Sequence, residues 1–130
     1  MEKTIFQKIT DREIPADIVY EDDITMAFMD VNPVSKGHVL LITKAPYPWM
    51  QDVPDDILEH TFVKAKLLMT TMKEVLGCDY VQLSVVGKDV PHFHIHLIPR
   101  FFNDNLHGWP ILNYEEGEKK SFAEKIKTYL

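Results

Sequence analysis

Residues 91–100 read PHFHIHLIPR, and His92, His94 and His96 alternate there with Phe93, Ile95 and Leu97. A repeat of two residues is the period of a β-strand, whose side chains point to opposite faces in turn. The three imidazoles therefore share one face, and the three large apolar residues share the other as candidate core. Pro91 cannot donate to a ladder, which places it at the start of the strand.

Outward from this stretch, YVQLSVV (80–86) reads as a partner strand, joined to it by a short turn around Gly87–Asp89. Upstream, DIVYE (17–21) and ITMAFMD (24–30) are β-like and flank an acidic turn at Asp22–Asp23. NPVSKG (32–37) reads as a loop and HVLLIT (38–43) as a buried strand. TIFQKIT (4–10) predicts a short helical turn with Thr4 as N-cap. Prolines 46, 48 and 54 keep the next stretch irregular. A long helix follows, with Asp55 and Asp56 suited to its first turn and Gly77 to its C-cap. Leu58, Phe62, Ala65, Met69, Met72 and Leu76 recur on it at steps of four and three, an amphipathic stripe expected to face core or a dimer interface. Ser121 and Glu124 form a capping-box pattern before a terminal helix. This order predicts one α+β domain over 1–130, an antiparallel sheet with packed helices, and a C-terminal tail and helix over about 107–130.

At 130 residues the chain suits a single core. A net charge of −6 argues against nucleic-acid polymers, whose binding needs clustered Lys and Arg, but leaves room for a small anionic ligand. The apolar runs are too short to cross a bilayer. The first fifteen residues carry no apolar signal core, and the single cysteine, Cys78, cannot close an internal disulfide. Both features point to a reducing, cytoplasmic setting and no membrane partner.

The histidine row admits three readings. It is a polar strand face, a metal site, or a catalytic device. His-x-His on a strand suits zinc, with His38, His60 or His107 as spare ligands, although Asp89 is the one carboxylate expected beside the row. In the catalytic reading one imidazole is a nucleophile and its neighbours set tautomers and move protons. A neutral imidazole is available for that role near neutral pH.

HFHIHLIPR closely resembles the signature of the histidine triad (HIT) family. The segment TIFQKITDREIPADIVYEDDITMAFMDVNPVSKGHVLLITK is similar to the family's N-terminal half nearly throughout, down to EIPA, YEDD and the GH before the buried strand. The resemblance implies a five-stranded antiparallel sheet with two main helices, usually paired in a homodimer with a continuous ten-stranded sheet. It implies a hydrolase that binds a purine nucleotide and cleaves at its α-phosphate, on phosphoramidates or dinucleoside polyphosphates. His94 would be the nucleophile, forming a covalent nucleotidyl-histidine. His96 would assist the departing group, His92 would orient its neighbours, and His38 would complete their network. Asp30 would accept hydrogen bonds from the ribose hydroxyls. Ile5, Phe6, Ile9, Phe28, Val31 and Leu40 would be base-pocket candidates.

Two departures stand out. Many bacterial relatives carry Cys-x-x-Cys near the start and hold a structural zinc there with two histidines. Here those positions are Thr4 and Gln7, so neither that metal nor any other cofactor is expected. The loop before the triad is short, VVGKDVPH (85–92), and places Lys88 and Asp89 in the phosphate region. The third triad position is His96, where the uridylyltransferase branch has glutamine, which favours hydrolysis over sugar-phosphate transfer. A nucleotide sensor that has lost turnover and a His-ligated metal protein remain the alternatives.

Overall fold

The computed structural model describes residues 2–130. Its elements are α1 (Ile5–Thr10), β1 (Ile18–Glu21), β2 (Thr25–Met29), β3 (Val39–Thr43), α2 (Asp55–Leu76), β4 (Tyr80–Ser84), β5 (His94–Arg100) and α3 (Glu118–Thr128), with a 3₁₀ turn at Met50–Asp52. The five strands form one antiparallel sheet in the order β1-β2-β3-β5-β4. The α+β expectation holds.

Strand alternation divides the sheet into two chemically distinct faces. Ala27, Met29, Val39, Leu41, Ile95 and Leu97 point to one side and are covered by Ala65, Leu68 and Met72 of α2 and by Ala123 and Ile126 of α3. Met26, Phe28, Leu40 and Ile42 point to the other side, where Phe6 and Ile9 of α1 close a second, smaller core. The registers Phe28↔Leu40 and Leu40↔His96 run as one row across three strands. Met26↔Ile42 and Ile42↔His94 form the next row. The histidines thus stand at the end of an apolar floor.

Several local expectations shift. β5 begins at His94, two residues late, because the Phe93 amide donates to Tyr47 O (2.6 Å), outside the sheet. Phe93 still packs with Ile95 and Leu97, so the alternation survives. β4 ends at Ser84, and Val85 and Val86 leave the ladder exposed. On α2 the buried face turns toward Thr61, Leu68 and Thr71, leaving Leu58, Phe62, Met69 and Leu76 half-buried. Thr61 can enter the core because its hydroxyl donates to Ile57 O (2.7 Å). The proposed capping box at Ser121 and Glu124 is wrong. α3 starts at Glu118, after Gly117 (φ 80°), and Ser121 is its fourth residue. Gly117 is the N-cap and no side chain caps the helix; Glu118, its first residue, accepts from the Glu115 amide in the preceding turn (2.9 Å) and pairs with Lys36 (2.9 Å).

Candidate active site

A cavity of about 650 Å³ opens on the α1 side of the sheet, within the range of small-molecule sites. Ile5, Phe6, Ile9, Phe28, Val31 and Leu40 line it, as do Asp30, His94, His96, Lys88 and Asp89. His92 and His38 lie behind this wall, both fully buried. The sequence candidates therefore sort into residues that face the cavity and residues that support those that do.

Fixed main-chain partners determine where each proton sits. A carbonyl can only accept and an amide can only donate, so a ring nitrogen facing one has its role assigned. His94 Nδ1 lies 2.7 Å from His92 O and must carry the proton. The lone pair is then on Nε2 of a ring that lines the cavity. His38 Nδ1 accepts from the Val34 amide (3.0 Å), so its Nε2–H donates to His96 Nδ1 (3.0 Å). His96 in turn carries its proton on Nε2. His92 Nε2–H donates to Thr43 O (2.6 Å), and its Nδ1 accepts from the Thr4 hydroxyl (3.2 Å). Neighbouring rings at 4.9 Å thus present opposite functions, a bare nitrogen on His94 and an N–H on His96.

This assignment requires neutral rings, and burial supplies them. It pushes His38 down to about 3 and His96 down to about 4, in both cases helped by neighbouring imidazoles. His92 and His94 are lowered by burial as well, against the hydrogen bonds to Thr43 O and His92 O that favour their protonated forms. Burial raises the Asp30 carboxyl, opposed by the Asn32 amide that donates to Oδ1 (2.8 Å). Asp30 Oδ2 lies 3.5 Å from His38 Nε2. The row therefore has a carboxylate neighbour besides Asp89, which corrects the sequence expectation.

Asp30, His38 and His96 hold their ligand atoms within 4.8 Å of one another, a spacing that invites a metal. The hydrogen bonds argue against it. A cation on His38 Nε2 would force its proton to Nδ1, directly against the Val34 N–H. The zinc position of some relatives fits no better, since Thr4 offers a hydroxyl instead of a thiolate and that hydroxyl already holds His92. Of the other two spare ligands, His60 is bonded to Asp22 Oδ2 (2.8 Å), and neither His60 nor His107 lines the cavity.

Sequence reading missed the C-terminal wall. Trp109 packs edge-on against His96 (4.9 Å) and His38 (6.1 Å), and Ile111 and Lys119 also line the cavity. The tail is fastened at three places. Arg100 grips Asp104 through two bonds (2.8 and 3.1 Å) and Leu106 O (3.0 Å). The Leu112 amide donates to Pro33 O (2.7 Å), and the Gly37 amide donates to the Tyr114 hydroxyl (2.8 Å). No periodicity marks such a segment; the Trp-Pro pair in a polar tail is its one local signal. The short loop is shaped from behind by Trp49. Gly87 has φ 74°, and a Cβ there would sit 2.9 Å from the Trp49 ring.

The antiparallel α+β domain thus seats a bare ring nitrogen and a donating imidazole side by side at one end of an apolar cavity, a histidine-lined small-molecule site. The HIT domain family model matches residues 11–103, and the chain belongs to that family. An uncharacterised HIT-like protein of Methanocaldococcus jannaschii is 40% identical over 105 residues, 77% of this chain and 81% of that one. The purine nucleoside phosphoramidase of Escherichia coli is 36% identical over 106 residues, 75% of this chain and 87% of that one. The crystal structure of a Hit-like protein from Bartonella henselae superposes with a TM-score of 0.90 at 28% identity, covering 98% and 96% of the two chains.

Proposed function

We propose that this protein is a nucleotide hydrolase that releases a nucleoside monophosphate from a phosphoramidate or dinucleoside polyphosphate. The observation that carries the reading is the pairing of a bare His94 Nε2 with a protonated His96 Nε2 on one cavity wall. The base lies between Ile5, Phe6 and Ile9 of α1 and the Phe28–Leu40 floor, and the ribose hydroxyls donate to Asp30. His94 Nε2 attacks the α-phosphorus, and the bond to the leaving group breaks with its electron pair on the departing atom. The His96 N–H bonds to the phosphoryl oxygens and the departing atom. The His94 Nδ1–H, held by His92 O, stabilises the positive ring of the covalent intermediate. Water then attacks phosphorus and breaks the phosphorus–nitrogen bond to His94, its released proton balancing the one the departing atom takes up; this frees the nucleoside monophosphate and restores His94.

The lowered His94 pKa keeps the nucleophile unprotonated at neutral pH. The name of the E. coli relative favours a purine and a phosphorus–nitrogen bond. No metal has a role in this scheme. Incubation with adenosine 5′-phosphoramidate, and separately with a dinucleoside polyphosphate, tests it by chromatographic identification of AMP. His94→Ala should lose turnover by several powers of ten while still binding nucleotide. Nucleotide binding by the wild type without AMP release from either compound would establish a sensor instead.

The active species is proposed to be a homodimer joined through β4. The β1 edge is guarded by charge, with Glu21 between Arg12 and Lys44. The β4 edge is apolar: Tyr80, Leu83 and Val85 are about two-fifths exposed, and Val63 and Leu67 of α2 are exposed as well. An unguarded apolar edge suits continuation of the sheet into a second copy.

A further inference from the structure

We propose that Thr4 is a positioning residue, whose hydroxyl donates to the bare Nδ1 of His92, holds that ring in place and fastens α1 to the strand that carries the reacting histidines. The inference rests on the hydrolase reading for its kinetic consequence and on geometry alone for the contact. Thr4 Oγ1 accepts from the Gln7 amide (3.2 Å), and because Thr43 O leaves His92 Nδ1 without a proton, the Thr4 hydroxyl donates to it (3.2 Å). His92 is 0% exposed, and its other nitrogen is taken by Thr43 O. No buried side-chain nitrogen or oxygen among the described residues lacks a partner. For His92 Nδ1 that partner is Thr4.

The contact joins two halves of the site. Thr4 caps the helix whose Ile5, Phe6 and Ile9 line the apolar end of the cavity. His92 supplies the carbonyl that orients His94. The Phe6 ring spans the same gap, edge-on to His92 (5.9 Å) and to His94 (4.9 Å). Without the hydroxyl, His92 holds a buried acceptor with no donor, and the ring must turn or exchange its proton to relieve it. Either movement shifts the backbone that aims the nucleophile. Misplacement on that scale acts on kcat, because the base walls and Asp30 still bind the ground state.

Three substitutions separate this role from helix capping. Thr4→Ser keeps both contacts. Thr4→Gly retains an acceptable N-cap but has no hydroxyl. Thr4→Val preserves shape and loses both contacts. The readouts are the ring ¹⁵N signals of His92 by NMR and steady-state kinetics on adenosine 5′-phosphoramidate. The wild type and Thr4→Ser should show His92 protonated on Nε2 with a hydrogen-bonded Nδ1. In Thr4→Gly and Thr4→Val that Nδ1 signal should move to the free lone-pair position or broaden by exchange. The same two variants should lose kcat by about 10- to 100-fold, with KM changed by less than about threefold. Unchanged His92 signals in Thr4→Gly, with kcat within about twofold of Thr4→Ser, would overturn the proposal. Loss of kcat in Thr4→Val alone would reduce Thr4 to a cap, which also overturns it. If the wild type cleaves no nucleotide, the hydrolase reading fails by itself, and the nitrogen signals still decide the Thr4 contact.

Discussion

Acid should unfold this protein through its histidines before its carboxylates. His38 and His96 are buried and neutral, with pKa values pushed down to about 3 and about 4, whereas an unfolded histidine titrates near 6.5. At pH 5.5 each unfolded ring is roughly nine-tenths protonated and both folded rings are neutral, so unfolding takes up roughly 1.8 protons at these two positions. The unfolded state binds the extra protons. Stability from these rings is therefore present above about pH 6.5 and is lost as the pH falls toward about 4, where folded His96 begins to charge. The slope is about 2.5 kcal/mol per pH unit. His92 and His94 shift in the same direction and steepen it. Asp30 opposes by at most one proton, because its raised carboxyl protonates in the folded state first. Asp22 is held far below the usual carboxylate range by its backbone and side-chain donors, and Asp104 by Arg100; both contribute only at lower pH. Against a total of about 5–15 kcal/mol for a folded domain, losing about 3 kcal/mol between pH 6.5 and 5 is a large share. Urea unfolding at half-unit intervals from pH 7 to 4.5 measures the slope. Calorimetry at pH 5.5 in buffers of different ionisation heat counts the protons. An uptake below one proton would refute the assignment of neutral buried rings.

Asp30→Asn keeps an acceptor for the Asn32 amide and so preserves the loop, but removes the carboxylate. Ribonucleotide affinity should fall by about one to two powers of ten, from charge-assisted bonds of about 1.5–3 kcal/mol each, while dideoxynucleotide affinity changes far less. Equal losses for both ligands would show that Asp30 shapes the loop and does not read the sugar. Exhaustive chelation should leave the thermal midpoint and turnover unmoved, and stoichiometric zinc lost together with the fold would contradict that. Leu83→Lys on the β4 edge, combined with Leu67→Glu on α2, should convert a dimer into a species of 15.1 kDa by sedimentation; a wild type that already sediments at that mass sinks the proposed interface.

The sheet and its two faces are legible in the sequence because alternation is a local rule, and Phe93, Ile95 and Leu97 obey it even though the ladder starts late. The buried face of α2 was harder to read, because Thr61 and Thr71 look polar in sequence and Thr61 hides its hydroxyl on its own helix. The start of α3 lies ahead of Ser121, at Glu118, which is tied to Lys36, a residue 82 positions away, a contact no local pattern contains. Trp109 was invisible for the same reason. Its place beside His96 depends on the Arg100–Asp104 knot and the Tyr114 hydroxyl, tertiary contacts in a segment without periodicity. The histidines were legible as a row, but their division into lining and supporting residues required the partners of each ring.

Three main-chain groups, the carbonyls of Thr43 and His92 and the amide of Val34, decide which nitrogen carries the proton on three of the four rings. The fourth inherits its state from His38. No ordinary side-chain replacement deletes a peptide group, so this wiring is shielded from mutation as long as the strands keep their register. The cavity walls have no such protection, because Ile9, Val31 and Ile111 contribute only their shapes. Drift can therefore rework what enters the cavity around an unaltered reacting centre. A library confined to those wall positions should diversify substrate choice without having to rebuild the chemistry.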